Sequence, residues 1–282
     1  MDRSKLRALM NTRRVGLQFE HLEPRCVLSV TPPLAFDTAF SGDGQLSSSG
    51  LTQDLAVGTD GSVFVVGLTT SSPFDFQVRK YTPSGSVDNS FGGGVVTTDF
   101  QGSSDRAYSV AIQGDGKLLV AGSAVVDGVQ QPAVVRYLTN GDLDTSFGDG
   151  GKRLIELPTS AEAEGVGVQS TGKIVVLGNR FELTRLNEDG SLDESFGNAG
   201  TAVAPGSFLR AGTFEVLLDD AVLIVGTRFG GNSSSSIAVA RVLADGDLDT
   251  NFSSNGVASI NVPGEFDGGL DATEQSDGAI LV

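Results

Sequence analysis

Short apolar runs separated by glycine-rich turns recur along the chain from about residue 50. In one unit, AYSVAIQ (107–113) alternates apolar and polar side chains, KLLVAGSAV (117–125) is mostly apolar, and AVVRYL (133–138) and KRLIEL (152–157) follow. Runs of this length, divided by Asp-Gly and Asn-Gly turns and without a helical period, predict an antiparallel meander of four strands. Such a sheet needs a neighbour on each face to cover its apolar side chains.

One acidic phrase punctuates these units five times, as FDTAFSGDG (from 36), VDNSFGGG (87), LDTSFGDGG (143), LDESFGNAG (192) and LDTNFSSNG (248). Its last phenylalanines are Phe40, Phe91, Phe147, Phe196 and Phe252, at spacings of 51, 56, 49 and 56 residues. A period near 50 residues with four strands per unit predicts the blades of a β-propeller, since solenoid coils are usually shorter, at about 20 to 30 residues.

The phrase also repeats an aspartate, at Asp37, Asp88, Asp144, Asp193 and Asp249. It lies where the chain turns from a third to a fourth strand, so we expect its carboxylate to accept hydrogen bonds from turn amides. The phenylalanine three residues later is expected to pack between blades. The predicted role of both residues is therefore structural.

The repeat predicts an all-β chain with four near-complete propeller blades and a partial fifth. Residues 1–35, which precede the repeats, form a basic leader. Because the last unit stops before its third strand, we expect an incomplete ring. Length differences between units fall in the hairpin after the second strand, which predicts a variable rim suited to binding.

The charge of the chain excludes some partners. Residues 41–282 carry 13 basic and 31 acidic side chains, which disfavours nucleic acid and anionic membranes. No apolar run reaches the length of about 18 residues that a transmembrane helix needs. Cys26 and His21 are the single cysteine and histidine, so the repeats contain neither a disulfide nor a His-dependent nucleophile.

Three sequence patterns suggest candidate chemistry. GVQSTGKI (167–174) matches a phosphate loop but ends in Ile and starts a strand, which indicates a hairpin turn. Asp245, Asp247 and Asp249 are a weak candidate Ca²⁺ site; the alternative is that they are solvated turn carboxylates. No other cofactor is expected. A third pattern is a row of cations on the strands, at Lys80, Arg136, Arg185 and Arg241. These cations either face an anionic ligand or pair with neighbouring acidic residues.

The stretch GDGKLLVAG…VVRYLTNGDLDTSFGDGG resembles delta-60 repeats, which occur in tandem in bacterial secreted or surface proteins, and more loosely NHL-type propeller blades. This resemblance implies the propeller fold, with blades at about 51–100, 106–157, 162–204, 212–263 and, in part, 269–282, and residues 36–49 as a candidate ring-closing strand. It transfers no catalytic residue. LQFEHLEPRCVLS (17–29) is similar to the FExLExRxLLS segment that opens large planctomycete surface proteins, apart from Val27 where that segment has Leu. The leader therefore implies export or surface assembly, although a disordered basic tail is the alternative.

These observations predict an extracellular or cell-surface scaffold for binding or adhesion, with a protein or glycan ligand and no catalytic residues. The alternative is a propeller hydrolase or lyase that acts on polysaccharide. The two hypotheses differ in whether a pair of carboxylates acts on the bound ligand.

Overall fold

The computed structural model describes residues 38–43, 45, 50–155, 162–178, 180–204, 208–230, 234–261, 271–275 and 278–282. Apart from one 3₁₀ turn at Gly92–Gly94, these residues contain no helix. They form four four-stranded sheets and one two-stranded sheet, and every strand pairs antiparallel with its neighbour in chain order. The predicted all-β fold class, with four blades and a partial fifth, is confirmed.

The four sheets are called blades 1 to 4. Blade 1 contains β1 (Leu51–Val57), β2 (Val63–Leu68), β3 (Phe76–Tyr81) and β4 (Val95–Thr98). Blade 2 contains β5 (Arg106–Ile112), β6 (Leu118–Val126), β7 (Val129–Tyr137) and β8 (Lys152–Leu154). Blade 3 contains β9 (Ala163–Val168), β10 (Ile174–Gly178), β11 (Glu182–Leu186) and β12 (Thr201–Val203). Blade 4 contains β13 (Phe208–Val216), β14 (Val222–Gly230), β15 (Ser234–Val242) and β16 (Val257–Ile260), and the short pair is β17 (Thr273–Glu274) and β18 (Ile280–Leu281).

Neighbouring blades pack face to face. Strand β5 packs on β1, β2 and β3 of blade 1, β9 packs on β5, β6 and β7 of blade 2, and β13 packs on β9. The second strands of blades 2 and 3 are apolar on both faces because each lies between two sheets, as the fully buried β10 illustrates. Burial of a large apolar side chain stabilises the fold by about 1.5 to 3 kcal/mol, so these faces supply most of the cohesion.

The phrase phenylalanines lie in the apolar clusters that join one blade to the next. Phe91, Phe147 and Phe196 are fully buried. Phe91 of blade 1 makes an edge-on contact with Tyr137 of blade 2, at 6.4 Å between ring centroids. Phe147 is buried with Ile174 and other side chains of blade 3. Each ring therefore belongs to one blade by sequence and to two blades by packing.

Backbone hydrogen bonds join the phrase of one blade to a turn of the next. The amide of Gly92 donates to the carbonyl of Asn140 at 2.8 Å. The same bond recurs from Gly148 to Asp189 at 2.8 Å and from Gly197 to Asp245 at 2.7 Å. At each junction the phrase lies against a turn that connects the third strand of the next blade to its own phrase. We call this contact the turn-to-turn contact.

The front copy of the phrase makes the equivalent contact with blade 1. The amide of Ser41, which follows Phe40, donates to the carbonyl of Ser84 at 2.8 Å. Residues 38–43 thus lie on blade 1 as Gly92 lies on blade 2. Asp37 and residues 46–49 of the candidate ring-closing strand lie outside the described residues, so that hypothesis stays a prediction.

The hairpins after the second strands form one edge of the blades. In blade 2 the strands β6 and β7 have nine residues each and meet in a tight turn at Asp127 and Gly128, both with positive φ. In blade 3 the strands β10 and β11 have only five residues each. The hairpin end of the sheets therefore differs in height from blade to blade, whereas the phrase end is nearly uniform.

The turn-to-turn contact predicts a specific cost for Gly141→Ala. Gly141 has φ +91°, and a Cβ there would lie 2.8 Å from the amide nitrogen of Gly92 in the neighbouring blade. Gly172 is the matched control, with φ +80° and no atom within 4 Å of an added Cβ. We expect Gly172→Ala to cost about 1 kcal/mol through φ alone, and Gly141→Ala to cost about 1 to 3 kcal/mol more through the steric clash.

Urea unfolding followed by circular dichroism measures both variants. Equal losses of unfolding free energy in the two variants would show that the close approach between blades contributes nothing.

Candidate functional site

The recurring aspartate forms a buried ion pair with a cation on the third strand. In blade 2, Nε of Arg136 on β7 donates to Oδ2 of Asp144 at 2.8 Å. The guanidinium carbon lies 4.7 Å from the ring centroid of Phe147, and the same guanidinium donates to the carbonyl of Glu188 in blade 3. One arginine therefore joins the aspartate, the phenylalanine and the next blade. We call this set the Arg–Asp–Phe cluster.

Blade 3 repeats the cluster. Nε of Arg185 donates to Oδ2 of Asp193 at 2.8 Å, its carbon lies 4.6 Å from the Phe196 centroid, and it also donates to the carbonyl of Ala244 in blade 4. In blade 4, Arg241 pairs with Asp249. The recurring cations are thus held inside the fold, and they are not free to present a ring of charge to an anionic ligand.

Blade 1 uses a lysine in the same place. Nζ of Lys80 lies 2.9 Å from Oδ2 of Asp88, so the ion pair is kept. The ammonium group lies over the ring of Phe64, at 5.5 Å from its centroid, and not over the phrase phenylalanine. A lysine presents a compact charge and cannot make the forked contact of an arginine. Among the residues that the structure describes, Lys80 therefore makes no side-chain bond to blade 2 of the kind that the arginines make to their next blades.

The second carboxylate oxygen closes the turn. Oδ1 of Asp144 accepts from the amide of Ser146 at 3.1 Å and from its hydroxyl at 2.6 Å. Burial alone would raise the pKa of Asp144, but the Ser146 hydrogen bonds and the charge of Arg136 lower that pKa to about 2. In Asp88 the Ser90 hydroxyl, followed by Lys80, lowers the pKa to about 2. These carboxylates stay ionised at neutral pH and are unsuited to donate a proton in catalysis.

The candidate Ca²⁺ residues lie in the same turn of blade 4. Oδ1 of Asp245 accepts from the amide of Asp247 at 3.1 Å. Asp249 uses one oxygen for Arg241 and the other for the amide of Asn251 at 2.9 Å. An ion here would have to compete with a guanidinium for Asp249. The Ca²⁺ hypothesis stays a prediction.

A different carboxylate group lies between blades 1 and 2. The carboxylate oxygens of Asp75, Asp99 and Asp105 lie within 4.8 Å of one another. Burial raises the pKa of Asp105, whose two oxygens accept from the amides of Phe100 and Val125. Burial, followed by the charge of Asp99, also raises the pKa of Asp75. The sequence did not reveal this group, because its members are turn residues that the repeat does not mark.

A cleft of about 470 Å³ lies beside this group, along β8. Its walls include Phe100 and Gln101 from the link between blades 1 and 2, Asp149 from the phrase, and Lys152 and Arg153 of β8. Nζ of Lys152 donates to the carbonyl of Asp99 at 2.6 Å and lies 5.3 Å from the centroid of Phe100. Volumes of about 300 to 1,000 Å³ are typical of small-molecule sites, so this cleft can hold a ligand.

The sequence offered a signal for this cleft. When the units are superposed on their phrases, Lys152 and Arg153 fall where blade 3 has Thr201 and Ala202. A departure from the repeat, rather than the repeat itself, marks the cleft.

Comparison with protein families agrees with the repeat. Four segments match the sequence model described as a domain of unknown function (DUF5122) beta-propeller, at residues 58–91, 113–147, 169–196 and 219–252. These segments are similar to DUF5122 β-propeller repeats. Each runs from the turn after a first strand to the phrase phenylalanine, so the DUF5122 match contains the recurring cation and aspartate of every blade. No curated protein matches the chain.

The solved structures that resemble this chain do so weakly. A protein of unknown function from Bacteroides caccae has a TM-score of 0.40 and 10% identity, over 77% of this chain and 89% of that one. The tail fiber of Staphylococcus aureus phage P68 has a TM-score of 0.35 and 12% identity, over 83% and 42%. The GH43 protein BlXynB from Bacillus licheniformis has a TM-score of 0.39 and 12% identity, over 77% and 42%. The chain thus spans less than half of the last two, and such scores carry no information about its ligand.

Two further expectations concern the location of the protein. The leader, residues 1–35, lies outside the described residues, and its proposed role in export stays a prediction. Within the described residues, no helix has the length and apolarity required to cross a bilayer.

The Arg–Asp–Phe cluster predicts the effect of Asp144→Asn. The amide can still accept from Ser146, but it leaves the charge of Arg136, which is 2% exposed, without a counter-ion. Breaking a buried pair in this way costs about 3 kcal/mol, measured by urea unfolding at pH 7. Asp142→Asn, at an exposed carboxylate in the same loop, is the control and should change stability by less than about 0.5 kcal/mol.

The pH dependence has a defined sign. The folded pKa of Asp144 lies below the unfolded value of about 3.9, so its stabilisation is complete above about pH 5 and is lost as the pH falls toward 2. The wild type should therefore lose more unfolding free energy than Asp144→Asn between pH 7 and pH 3. Identical pH profiles would contradict the ion pair.

Proposed function

We propose that this DUF5122 β-propeller is a non-catalytic scaffold that binds a ligand outside the cell. The observation that carries the proposal is the use of the recurring carboxylates: Asp144 and Asp193 are paired with buried arginines and capped by serine amides. A charge that holds two blades together is not available to act on a substrate. What differs among the blades is the hairpin edge and one cleft, and variable surfaces on a rigid frame are typical of binding proteins.

The proposed location is the cell surface or the extracellular medium. The support is the similarity of residues 17–29 to a surface-protein leader and of the repeats to exported tandem repeats. The net charge of −16 also favours a wall or matrix ligand over nucleic acid. The ligand class proposed is a glycan or a protein of that surface.

A hydrolase or lyase that acts on polysaccharide is the second candidate. It is favoured by the group of Asp75, Asp99 and Asp105. The pKa values of Asp75 and Asp105 are raised, and neighbouring carboxylates of this kind are suited to general acid–base chemistry. Asp105 uses both oxygens for backbone amides, and Asp99 uses one oxygen for the amide of Gly102. Asp75 and the second oxygen of Asp99 are therefore the groups that would face a substrate.

One experiment separates the two candidates. The purified protein is incubated with cell-wall fragments and a panel of polysaccharides, and both bound protein and released sugar ends are measured. The scaffold proposal predicts saturable binding to at least one of them, with no release of reducing or unsaturated ends above a buffer control.

The contradicting result is turnover that Asp75→Asn abolishes and that Asp142→Asn leaves unchanged. Binding to none of the fragments would also count against the scaffold.

A further inference from the structure

Lys152 and Arg153 replace residues that the scaffold places at the same position in the other blades. The equivalents of Arg153, two residues after the last glycine of the phrase, are Val96, Ala202 and Ala258. Ala202 and Ala258 are 8% and 5% exposed, so the fold treats the position as a small apolar site. The arginine in blade 2 is therefore not required by the architecture.

The guanidinium of Arg153 also has an unused hydrogen-bond donor. Arg153 lies on β8 opposite Val134, and its Nε is buried without a hydrogen-bond partner. Among the described residues no carboxylate pairs with it, in contrast to Arg136 and Arg185. A buried polar group without a partner is costly, and an unexplained one commonly marks the place of a ligand or an ion.

The other side chains of the cleft indicate what kind of ligand could bind to Arg153. Lys152 adds a second cation. Its ammonium group donates one hydrogen to the carbonyl of Asp99, which leaves two N–H donors for a ligand. Asp149 offers acceptors, and Gln101 offers its amide donors, since its Oε1 already accepts from the amide of Asp127. Phe100 adds an aromatic wall that an edge-on contact with Phe76 holds in place, at 5.5 Å between ring centroids.

We propose that the cleft along β8 binds a carboxylate-bearing sugar, with Arg153 and Lys152 on the carboxylate, Asp149 and Gln101 on hydroxyl groups, and Phe100 against the sugar ring. A simple anion would be repelled by Asp149, whereas a ligand that carries both a carboxylate and hydroxyl donors matches both signs of charge. This inference rests on the proposed binding function and names its site and ligand class.

The test is calorimetric titration of the full chain with digalacturonate and with neutral galactobiose. We expect saturable binding of digalacturonate and at least about tenfold weaker binding of galactobiose, because hydrogen bonds to a charged group are the strong ones. Arg153→Ala, the residue of blades 3 and 4, and Lys152→Thr, the residue of blade 3, should each weaken digalacturonate binding by about tenfold. Arg180→Ala removes an exposed arginine elsewhere and should bind as the wild type does.

Folding of the variants is checked by melting temperature, which Arg153→Ala should leave unchanged or raise, since it removes an unpaired cation. Equal binding of the acidic and neutral sugars, unchanged binding by Arg153→Ala, or equally tight binding of the dipeptide Asp-Asp would overturn the proposal.

The two proposals fail separately. If wall fragments bind the wild type and Arg153→Ala equally well, the cleft assignment is wrong and the scaffold proposal stands. If neither fragments nor sugars bind, both are wrong.

Discussion

The structure depends on a buried ion pair that reaches from one sheet to the next. Arg136 is bound to Asp144 of its own blade, lies over Phe147 and donates to the backbone of blade 3. Removing two charges from water costs free energy. This cost is offset because the guanidinium contacts a carboxylate, an aromatic ring and a backbone carbonyl at the same time. Specificity follows from the geometry, since only a neighbouring blade in the correct register offers that carbonyl. The cluster thus sets the position of blade 3 on blade 2 and of blade 4 on blade 3.

This constraint explains why a ligand-binding site is expected away from the phrase. The phrase end of each blade is occupied by turn-to-turn contacts, such as the bond from Gly148 to Asp189. The hairpin ends differ in strand length from blade to blade, as β6 and β10 show, and can vary without loss of the fold. Blade 2 uses this freedom twice, in its tall hairpin and in the basic residues of β8. A repeat protein can acquire a binding site at one blade while the other blades keep the scaffold intact.

Much of the fold was predictable because its signals are local. Alternating strands and Asp-Gly turns predicted four-stranded sheets, and the spacing of Phe91, Phe147 and Phe196 predicted a repeat of blades. The partners of the recurring aspartates were left open, because Arg136 and Asp144 come together only when β7 and the following turn fold back. The cleft was not predicted, since Phe100 and Arg153 are distant in sequence and meet through the packing of blade 1 against blade 2.

The central claim is that the phrase of each blade is bound to the next blade. Hydrogen exchange at two glycine amides of one phrase, measured by NMR, tests it most directly. Gly148 and Gly150 are both exposed by surface area, but Gly148 donates to Asp189 of blade 3 at 2.8 Å. The account predicts that the Gly148 amide exchanges as slowly as the strand amides of β7 while the Gly150 amide exchanges fast. Equally fast exchange at both amides would contradict it.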